Sequence, residues 1–288
     1  KVSDTIAHFL KNKNIQHVFG IVGAGNIHIF DSITNLNYTK IICTHHEQAA
    51  VMAAIGYYRA TGKISAVILT TGAGSTNAIT GVLSAYMDSI PVLIIAGNEN
   101  SKFTKTENKL RIWGVQGYDS VSMVQKITNY ADRLINPEEI FNYLDQAYYQ
   151  SLSNRYGPSW LEIPINVQSS IVTNNNTTTL FTNKKENHQI TNIDEQIYSI
   201  NNLISISKRP IMWLGNGIRL SGAINLIKPL LNKFKIPTLV SWAGMDLLSC
   251  DHSLNFGSAG VYGNRASNFI IQNSDLIITI GTRLSLLQ

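Results

Sequence analysis

The sequence contains little cysteine and no long apolar segment. Its two cysteines, Cys43 and Cys250, lie far apart and lack the spacing of a metal site. Both fit a reducing cytoplasm, and Cys43, which ends an apolar segment, is predicted to lie in the core. No apolar run reaches the roughly 18 residues that a membrane helix needs, and the N-terminal residues show no cleavable signal pattern. These absences predict a cytoplasmic protein without a membrane partner.

A concentrated basic motif is also missing. The formal net charge is +5, but the lysines and arginines are scattered along the chain. No basic stripe with interleaved aromatic residues occurs, which argues against nucleic acid as a partner. The charge balance favours a small anionic substrate only weakly.

What the sequence does contain is a repeated strand–helix pattern. The 288 residues allow two domains of ordinary size. Over residues 1–170 the pattern predicts an α/β domain with a parallel sheet covered on both faces. Predicted strands cover 17–20, 41–44, 66–70, 91–96 and 159–163, and predicted helices cover 4–13, 26–36, 47–61, 75–87 and 137–153.

A polar tract follows this first domain. Residues 171–192 are predicted to be a linker, and an ordered surface loop is an equal alternative. Residues 193–288 then repeat the α/β pattern, with helices predicted over 194–206 and 223–234 and strands over 210–215, 237–241 and 275–281. Three strands are few for such a sheet, so we expect this domain to be partial and the protein to continue.

Glu47 is the first candidate for chemistry. It follows an apolar strand, within Thr44-His45-His46-Glu47, and stands where an Ala-rich helix is predicted to begin. A carboxyl group near an apolar site is a candidate for proton transfer. The alternative is that Glu47 only favours the helix start through the helix dipole. The adjacent histidines are not expected to share one metal ion, and His46 is expected to orient the loop.

A glycine-rich segment between a strand and a helix is the second candidate. Gly72-Ala73-Gly74-Ser75-Thr76-Asn77 is similar to a dinucleotide-binding loop, but Asn77 stands where the third glycine belongs. No convincing acid follows about 20 residues later. The segment alone is therefore a weak signal.

Four motifs in order resemble a known family. They are Val18-Phe19-Gly20-Ile21-Val22-Gly23-Ala24-Gly25-Asn26, His46-Glu47-Gln48-Ala49-Ala50, the segment from Thr70 to Asn77, and Ala85-Tyr86-Met87-Asp88-Ser89-Ile90-Pro91-Val92. Together they resemble the N-terminal half of the thiamine-diphosphate enzymes, in the acetohydroxyacid (acetolactate) synthase-like branch. The resemblance extends from about Val2 to Gln288. It implies a pyrimidine-binding domain over 1–170 and a partial, Rossmann-like central domain over 193–288.

The resemblance also implies cofactors. The diphosphate-binding domain, which carries the Mg²⁺ ligands, would lie outside this chain, so no metal site is predicted here. In the family the acid matching Glu47 hydrogen-bonds N1′ of the thiamine aminopyrimidine and favours its 4′-imino form, which takes the proton from C2. Glu47 is therefore the predicted catalytic residue. Residues matching thiamine diphosphate contacts are Val22, Gly23, Ala24, Gly25, Glu47, Gly72, Gly74, Asn77 and Gln116.

This sequence departs from the family pattern at two of these places. The family usually has proline where Val22 stands, and glutamate where Gly117 follows Gln116. The second departure, together with Trp113, suggests a pocket that could admit a bulkier acceptor than a second pyruvate.

FAD is a further expectation from the resemblance. The residues matching flavin contacts are Ser89, Arg155, Asn216, Gly217, Gly260, Gly263 and Arg283, and Arg283 could pair with a phosphate. Related decarboxylases keep a similar domain without flavin, so both possibilities stay open.

The function implied is decarboxylation of pyruvate or another 2-oxo acid, with transfer of the acyl unit to a carbonyl acceptor. That acceptor is a second 2-oxo acid or a keto-sugar nucleotide. The family builds its site between two subunits, so a homodimer or homotetramer is expected. The alternatives are a decarboxylase that does not ligate, a flavin-dependent pyruvate oxidase, and, in another class, a non-catalytic nucleotide-binding or regulatory module.

Overall fold

The computed structural model describes residues 1–103, 111–173 and 192–284. The chain divides into two compact units, Lys1–Asn187 and His188–Gln288. The predicted linker at 171–192 falls almost wholly outside the described residues, so this boundary stays a prediction. Among the described helices, none is both long and apolar enough to cross a bilayer.

A parallel sheet forms the centre of the first unit. Its described strands are β1 (His17–Gly20), β2 (Lys40–Cys43), β3 (Ala66–Leu69), β4 (Val92–Asn98), β5 (Tyr130–Arg133) and β6 (Pro158–Pro164). They form a six-stranded sheet in the order β2-β1-β3-β4-β6-β5, and every neighbouring pair is parallel. The predicted α/β class with a parallel sheet is confirmed.

Helices cover both faces of this sheet. They are α1 (Val2–Asn12), α2 (Ile27–Leu36), α3 (Glu47–Thr61), α4 (Ala73–Thr76), α5 (Ile79–Met87), α6 (Ser120–Val124), α7 (Ile140–Ser151) and α8 (Ile165–Ser169). Because side chains alternate along a strand, Ile68 packs in one core with α1, α2 and α7, whereas Val67 packs in another with α3 and α5. Burying each such side chain contributes about 1.5–3 kcal/mol.

Three expectations for the first unit were wrong in detail. The predicted helix over 75–87 is two helices, α4 and α5. The Ala78 N–H bonds to the Ser75 carbonyl three residues earlier, which interrupts the regular pattern of bonds four residues apart. Strand β5 was not predicted, since Tyr-Ala-Asp-Arg is neither an apolar run nor a clear alternation. Cys43 is exposed rather than in the core, because it ends β2 at the edge of the sheet.

A second sheet forms the centre of the second unit. Its helices are α9 (Ile193–Ile206), α10 (Gly217–Leu220), α11 (Ile224–Phe234) and α12 (Arg265–Asn273), and its strands are β7 (Pro210–Leu214), β8 (Thr238–Val240), β9 (Asn255–Ser258) and β10 (Leu276–Ile280). Within the described residues the strands form a parallel sheet in the order β10-β7-β8-β9. This is one strand more than predicted, because Asn-Phe-Gly-Ser of β9 is neither an apolar run nor fully buried.

Candidate functional site

The order of strands in the first unit creates a crevice. The chain passes from β1 outward through α2 to β2, then crosses back through α3 to β3 on the other side of β1. Helices α2 and α5 pack on opposite faces of the sheet. In open α/β sheets, ligands bind outside the carboxyl ends of the strands where the order reverses in this way. The loops after β1 and β3 therefore border the expected ligand site.

Glu47 lies at this edge. It is the first residue of α3 and only 8% exposed. The N-cap is His46, whose Nδ1 accepts the Gln48 N–H at 3.2 Å. Because His46 caps the helix, Glu47 is left for another contact: its Oε2 accepts from Nδ2 of Asn77 at 3.0 Å.

The glycine-rich loop after β3 closes around this carboxyl group. A Cβ atom on Gly74 would lie 3.0 Å from Oε1 of Glu47 and 2.5 Å from Cγ2 of Thr70. Gly72 has φ of +63°, a conformation that other residues rarely adopt. A Cβ there would lie 2.9 Å from Cβ of Gln116. The structure therefore brings together five of the predicted residues from three separate parts of the sequence, namely Glu47, Gly72, Gly74, Asn77 and Gln116.

The turn after β1 joins the same edge. The Gly25 N–H donates to Oγ1 of Thr70 at 3.1 Å. The Gly23 N–H donates to Oδ1 of the buried Asn26 at 2.8 Å. The remaining predicted residues of this turn, Val22 and Ala24, are exposed. Thr70 thus ties the turn to the loop that borders Glu47.

A polar network at the same edge was not predicted. Oγ1 of Thr71 donates to Oδ1 of Asn98 at 3.1 Å, and Nδ2 of Asn98 donates to the Tyr118 carbonyl at 2.9 Å. The hydroxyls of Tyr118 and Ser75 lie 2.7 Å apart, and burial raises the pKa of Tyr118 to about 12. Asn98 could have indicated this network from the sequence. It ends an apolar strand, and a buried polar residue needs a hydrogen-bond partner.

A buried carboxyl group in β6 was also missed. Glu162 is fully buried, and it accepts hydrogen bonds from Ser120 Oγ and Arg133 Nε. The Arg133 guanidinium also lies 3.3 Å from Asp119 and 4.7 Å from the centre of the Trp113 ring. Removing one partner of such a pair is strongly destabilising, so we assign this cluster a structural role.

The predicted flavin residues lie elsewhere. In the first unit, Nε of Arg155 donates to Oγ of Ser89 at 2.6 Å. Both residues precede strands, β6 and β4, and so lie at the amino edge of the sheet, opposite Glu47. In the second unit the matching residues follow the carboxyl ends of strands, namely Asn216, Gly217, Gly260, Gly263 and Arg283. There the Gly217 N–H donates to the Gly281 carbonyl at 2.8 Å.

The described residues contain no group of three or more His, Cys, Asp and Glu side chains placed to hold a metal ion.

Comparison with known proteins identifies the family. Residues 1–123 match "Thiamine pyrophosphate enzyme, N-terminal TPP binding domain", and residues 197–288 match "Thiamine pyrophosphate enzyme, central domain". The acetolactate synthase large subunit of Lactococcus lactis is 30% identical over 282 residues, which are 98% of this chain and 48% of that protein. The acetolactate synthase isozyme 2 large subunit of Escherichia coli is 28% identical over 96% of this chain and 48% of its own length.

The chain spans about half the length of the curated relatives that it matches. The predicted resemblance is confirmed over both units. The chain belongs to the thiamine pyrophosphate enzymes, of which it carries the N-terminal TPP binding domain and the central domain.

Proposed function

We propose that this chain forms the pyrimidine side of a thiamine-diphosphate-dependent enzyme, a transferase or lyase. It would decarboxylate pyruvate or another 2-oxo acid and transfer the acyl unit to a carbonyl acceptor. The observation that carries the proposal is the buried carboxyl group of Glu47 at the crevice of the first unit. Support also comes from relatives that are named acetolactate synthases.

The residues at this edge fit thiamine diphosphate. A cofactor with an aminopyrimidine ring needs a desolvated acid and a surface where the backbone can approach the ring. Glu47 is such an acid, and side chains are absent at Gly74, which borders it, and at Gly72, which borders Gln116. The residues proposed to hold the cofactor are Val22, Gly23, Ala24, Gly25, Glu47, Gly72, Gly74, Asn77 and Gln116. When bound, thiamine diphosphate supplies an electron sink for cleavage of a carbon–carbon bond.

The chain's own contribution is to hold a proton and to orient its carrier. Glu47 would share a proton through one carboxyl oxygen while Asn77 fixes the other. Burial makes this interaction stronger than it would be in water. His46 keeps the start of α3 in place, so the carboxyl group stays at the crevice. We expect Mg²⁺ to bind outside the described residues, which contain no cluster of three or more His, Cys, Asp and Glu side chains for it.

A homodimer or homotetramer is part of the proposal. Helices α3 and α5 pack on each other, and both expose apolar side chains: Met52 is 38%, Leu83 41% and Met87 53% exposed. Clustered exposed apolar residues commonly mark an interaction site.

The cytoplasmic location stays a prediction from cysteine usage.

The experiment is to incubate the full protein with pyruvate, thiamine diphosphate and Mg²⁺, with and without candidate acceptors, and to identify the products. Acetolactate, or a sugar nucleotide extended by two carbons, would support the proposal. Free acetaldehyde alone would indicate a decarboxylase, and acetate with reduced flavin an oxidase. No consumption of any 2-oxo acid tested would contradict the enzyme assignment and favour a non-catalytic module.

We further propose that the second unit binds FAD. Its matching residues follow the carboxyl ends of parallel strands, where such sheets bind ligands. We expect the purified full protein to absorb as a flavoprotein. Arg283→Ala should lower the bound flavin by about tenfold, the scale of a lost charge-assisted hydrogen bond. Arg265→Ala is the control, because Arg265 contacts the Phe269 ring in α12. If protein prepared in excess FAD is active but contains no flavin, the second unit does not bind FAD for this activity.

A further inference from the structure

A small closed turn borders the candidate site, and the side chains that hold this turn in place have no assigned role. Residues 113–117 form this turn, which we call the Gln116 turn. Two backbone hydrogen bonds close it: the Trp113 N–H donates to the Gly117 carbonyl at 2.9 Å, and the Gly117 N–H donates to the Trp113 carbonyl at 2.7 Å. Gln116 therefore has a defined backbone position.

The Glu99 carboxylate, just after β4, packs inside this turn. Its Oε1 accepts the Gln116 N–H at 3.1 Å. A Cβ atom on Gly114 would lie 2.9 Å from Oε2, and one on Gly117 would lie 2.7 Å from Cγ of Glu99. The Glu99 side chain thus occupies the space that side chains at both glycine positions would need.

This packing explains the departure at Gly117. The family that the sequence resembles usually has glutamate there, but here a Cβ atom would lie 2.5 Å from the Trp113 carbonyl oxygen. Position 117 has no room for a side chain while the turn keeps this shape. Glu99 instead brings a carboxylate to the same turn from the end of β4.

The turn connects directly to the crevice. The Gln116 side chain lies against Gly72, where an added Cβ would be 3.1 Å from Oε1 of Gln116. Gly72 begins the loop whose Gly74 borders Glu47. Val115, at the tip of the turn, is 80% exposed. One side of the turn therefore contacts the loop that borders Glu47, and the other side is exposed to solvent.

A second support holds the far end of the turn. The Arg133 guanidinium stacks on Trp113 and is itself paired with the buried Glu162. That contact fixes Trp113, whereas Glu99 contacts the Gln116 backbone itself. Among the described residues, Glu99 is the one whose charged group bonds directly to the Gln116 N–H.

We propose that Glu99 is a positioning residue that fixes Gln116 at the open side of the crevice and thereby governs how the acceptor binds. The role for the acceptor rests on the proposed function. The exposed tip of the turn faces the solvent from which a second substrate enters, whereas the proton-holding Glu47 is buried beneath the loop. The turn therefore affects acceptor binding more than the chemistry at Glu47.

The first experiment needs no activity. Hydrogen exchange of the peptide that contains Gln116 is measured in the full protein without cofactor. Glu99→Ala should speed exchange of the Gln116 amide about tenfold, because its charged acceptor is lost. Glu99→Gln keeps an oxygen in the same place and should exchange within about threefold of wild type. Glu195→Gln, an exposed acid on α9, is the matched control. An unchanged amide in Glu99→Ala would overturn the proposal.

The second experiment tests the consequence. In Glu99→Ala the KM of the acceptor should rise about tenfold, with a much smaller change in kcat and in the KM of the 2-oxo acid donor. Glu99→Gln should restore the acceptor KM, since positioning needs an oxygen and not a charge. If Glu99→Gln behaves like Glu99→Ala, or if kcat falls as much as the acceptor KM rises, Glu99 is not a positioning residue. If wild-type protein consumes no 2-oxo acid, the proposed function fails, and hydrogen exchange still decides whether Glu99 holds Gln116.

Discussion

Glu47 has an environment that separates it from an ordinary acid at a helix start. Its neighbour His46 provides the N-cap, and its side chain is buried against the glycine-rich loop. The Asn77 amide satisfies one carboxyl oxygen at 3.0 Å. A buried carboxyl group with one fixed oxygen has the arrangement that a proton-holding residue needs. The helix-dipole effect still acts on Glu47, but it does not account for the burial.

Tyr118 gives a prediction about pH. Burial raises its pKa to about 12 from 10.0. The folded state therefore keeps the phenol proton where the unfolded state releases it. The stabilising contribution is fully present below pH 10 and is lost as the pH rises toward 12. We expect the free energy of unfolding to fall more steeply over this range in wild type than in Tyr118→Phe, as measured by urea unfolding.

Tyr57→Phe is the control for this experiment, because it removes a tyrosine hydroxyl outside the polar network at the crevice. If wild type and Tyr118→Phe lose stability in parallel above pH 10, the burial of the Tyr118 hydroxyl is not as described.

The packing of α3 on α5 depends on one glycine and not on another. A Cβ on Gly81 of α5 would lie 2.6 Å from Cβ of Val51, whereas a Cβ on Gly56 of α3 would meet nothing within 4 Å. Gly81→Ala should lower the free energy of unfolding by about 1–3 kcal/mol through overpacking. Gly56→Ala should raise it by about 0.5–1 kcal/mol, since alanine favours a helix interior. Urea unfolding measures the free energy of unfolding of both variants. The same change in both would contradict the close contact between Gly81 and Val51.

Some elements were predictable from the sequence, and the reasons are local. Strand β1 and helix α3 begin and end where predicted, because a glycine-rich turn follows β1 and Gly62 ends α3 in a left-handed conformation. Strand β5 was missed because its residues are only partly buried and show no apolar pattern.

The candidate site was predictable only in part. The glycines and Glu47 could be named because four motifs in order resemble the thiamine-diphosphate enzymes, whereas their residue types alone were a weak signal. The contact of Glu99 with Gln116 could not, because it depends on how β4 places a carboxylate 17 residues away in sequence. The same holds for Glu162, whose partner Arg133 lies on the neighbouring strand. Whether the named residues bind cofactor stays a prediction.

At the scale of the molecule, the first unit has its own core. Both hydrophobic clusters of the first sheet consist of residues between Val2 and Val172. A unit that buries its own core can fold alone. We expect residues 1–173 to unfold in urea in one cooperative transition, as measured by circular dichroism. A broad, non-cooperative transition would show that the first unit needs further contacts.

The central claim is that Glu47 holds the proton on which the reaction of this thiamine pyrophosphate enzyme depends. The most direct test is the turnover of Glu47→Gln in the full protein, with 2-oxo acid consumption measured at saturating thiamine diphosphate and Mg²⁺. Glutamine keeps the size and the contact with Asn77 but cannot titrate, so turnover should fall by roughly 10²–10⁴-fold. The urea midpoint should stay close to wild type, and Glu195→Gln should keep full turnover. Near-normal turnover in Glu47→Gln would contradict the account.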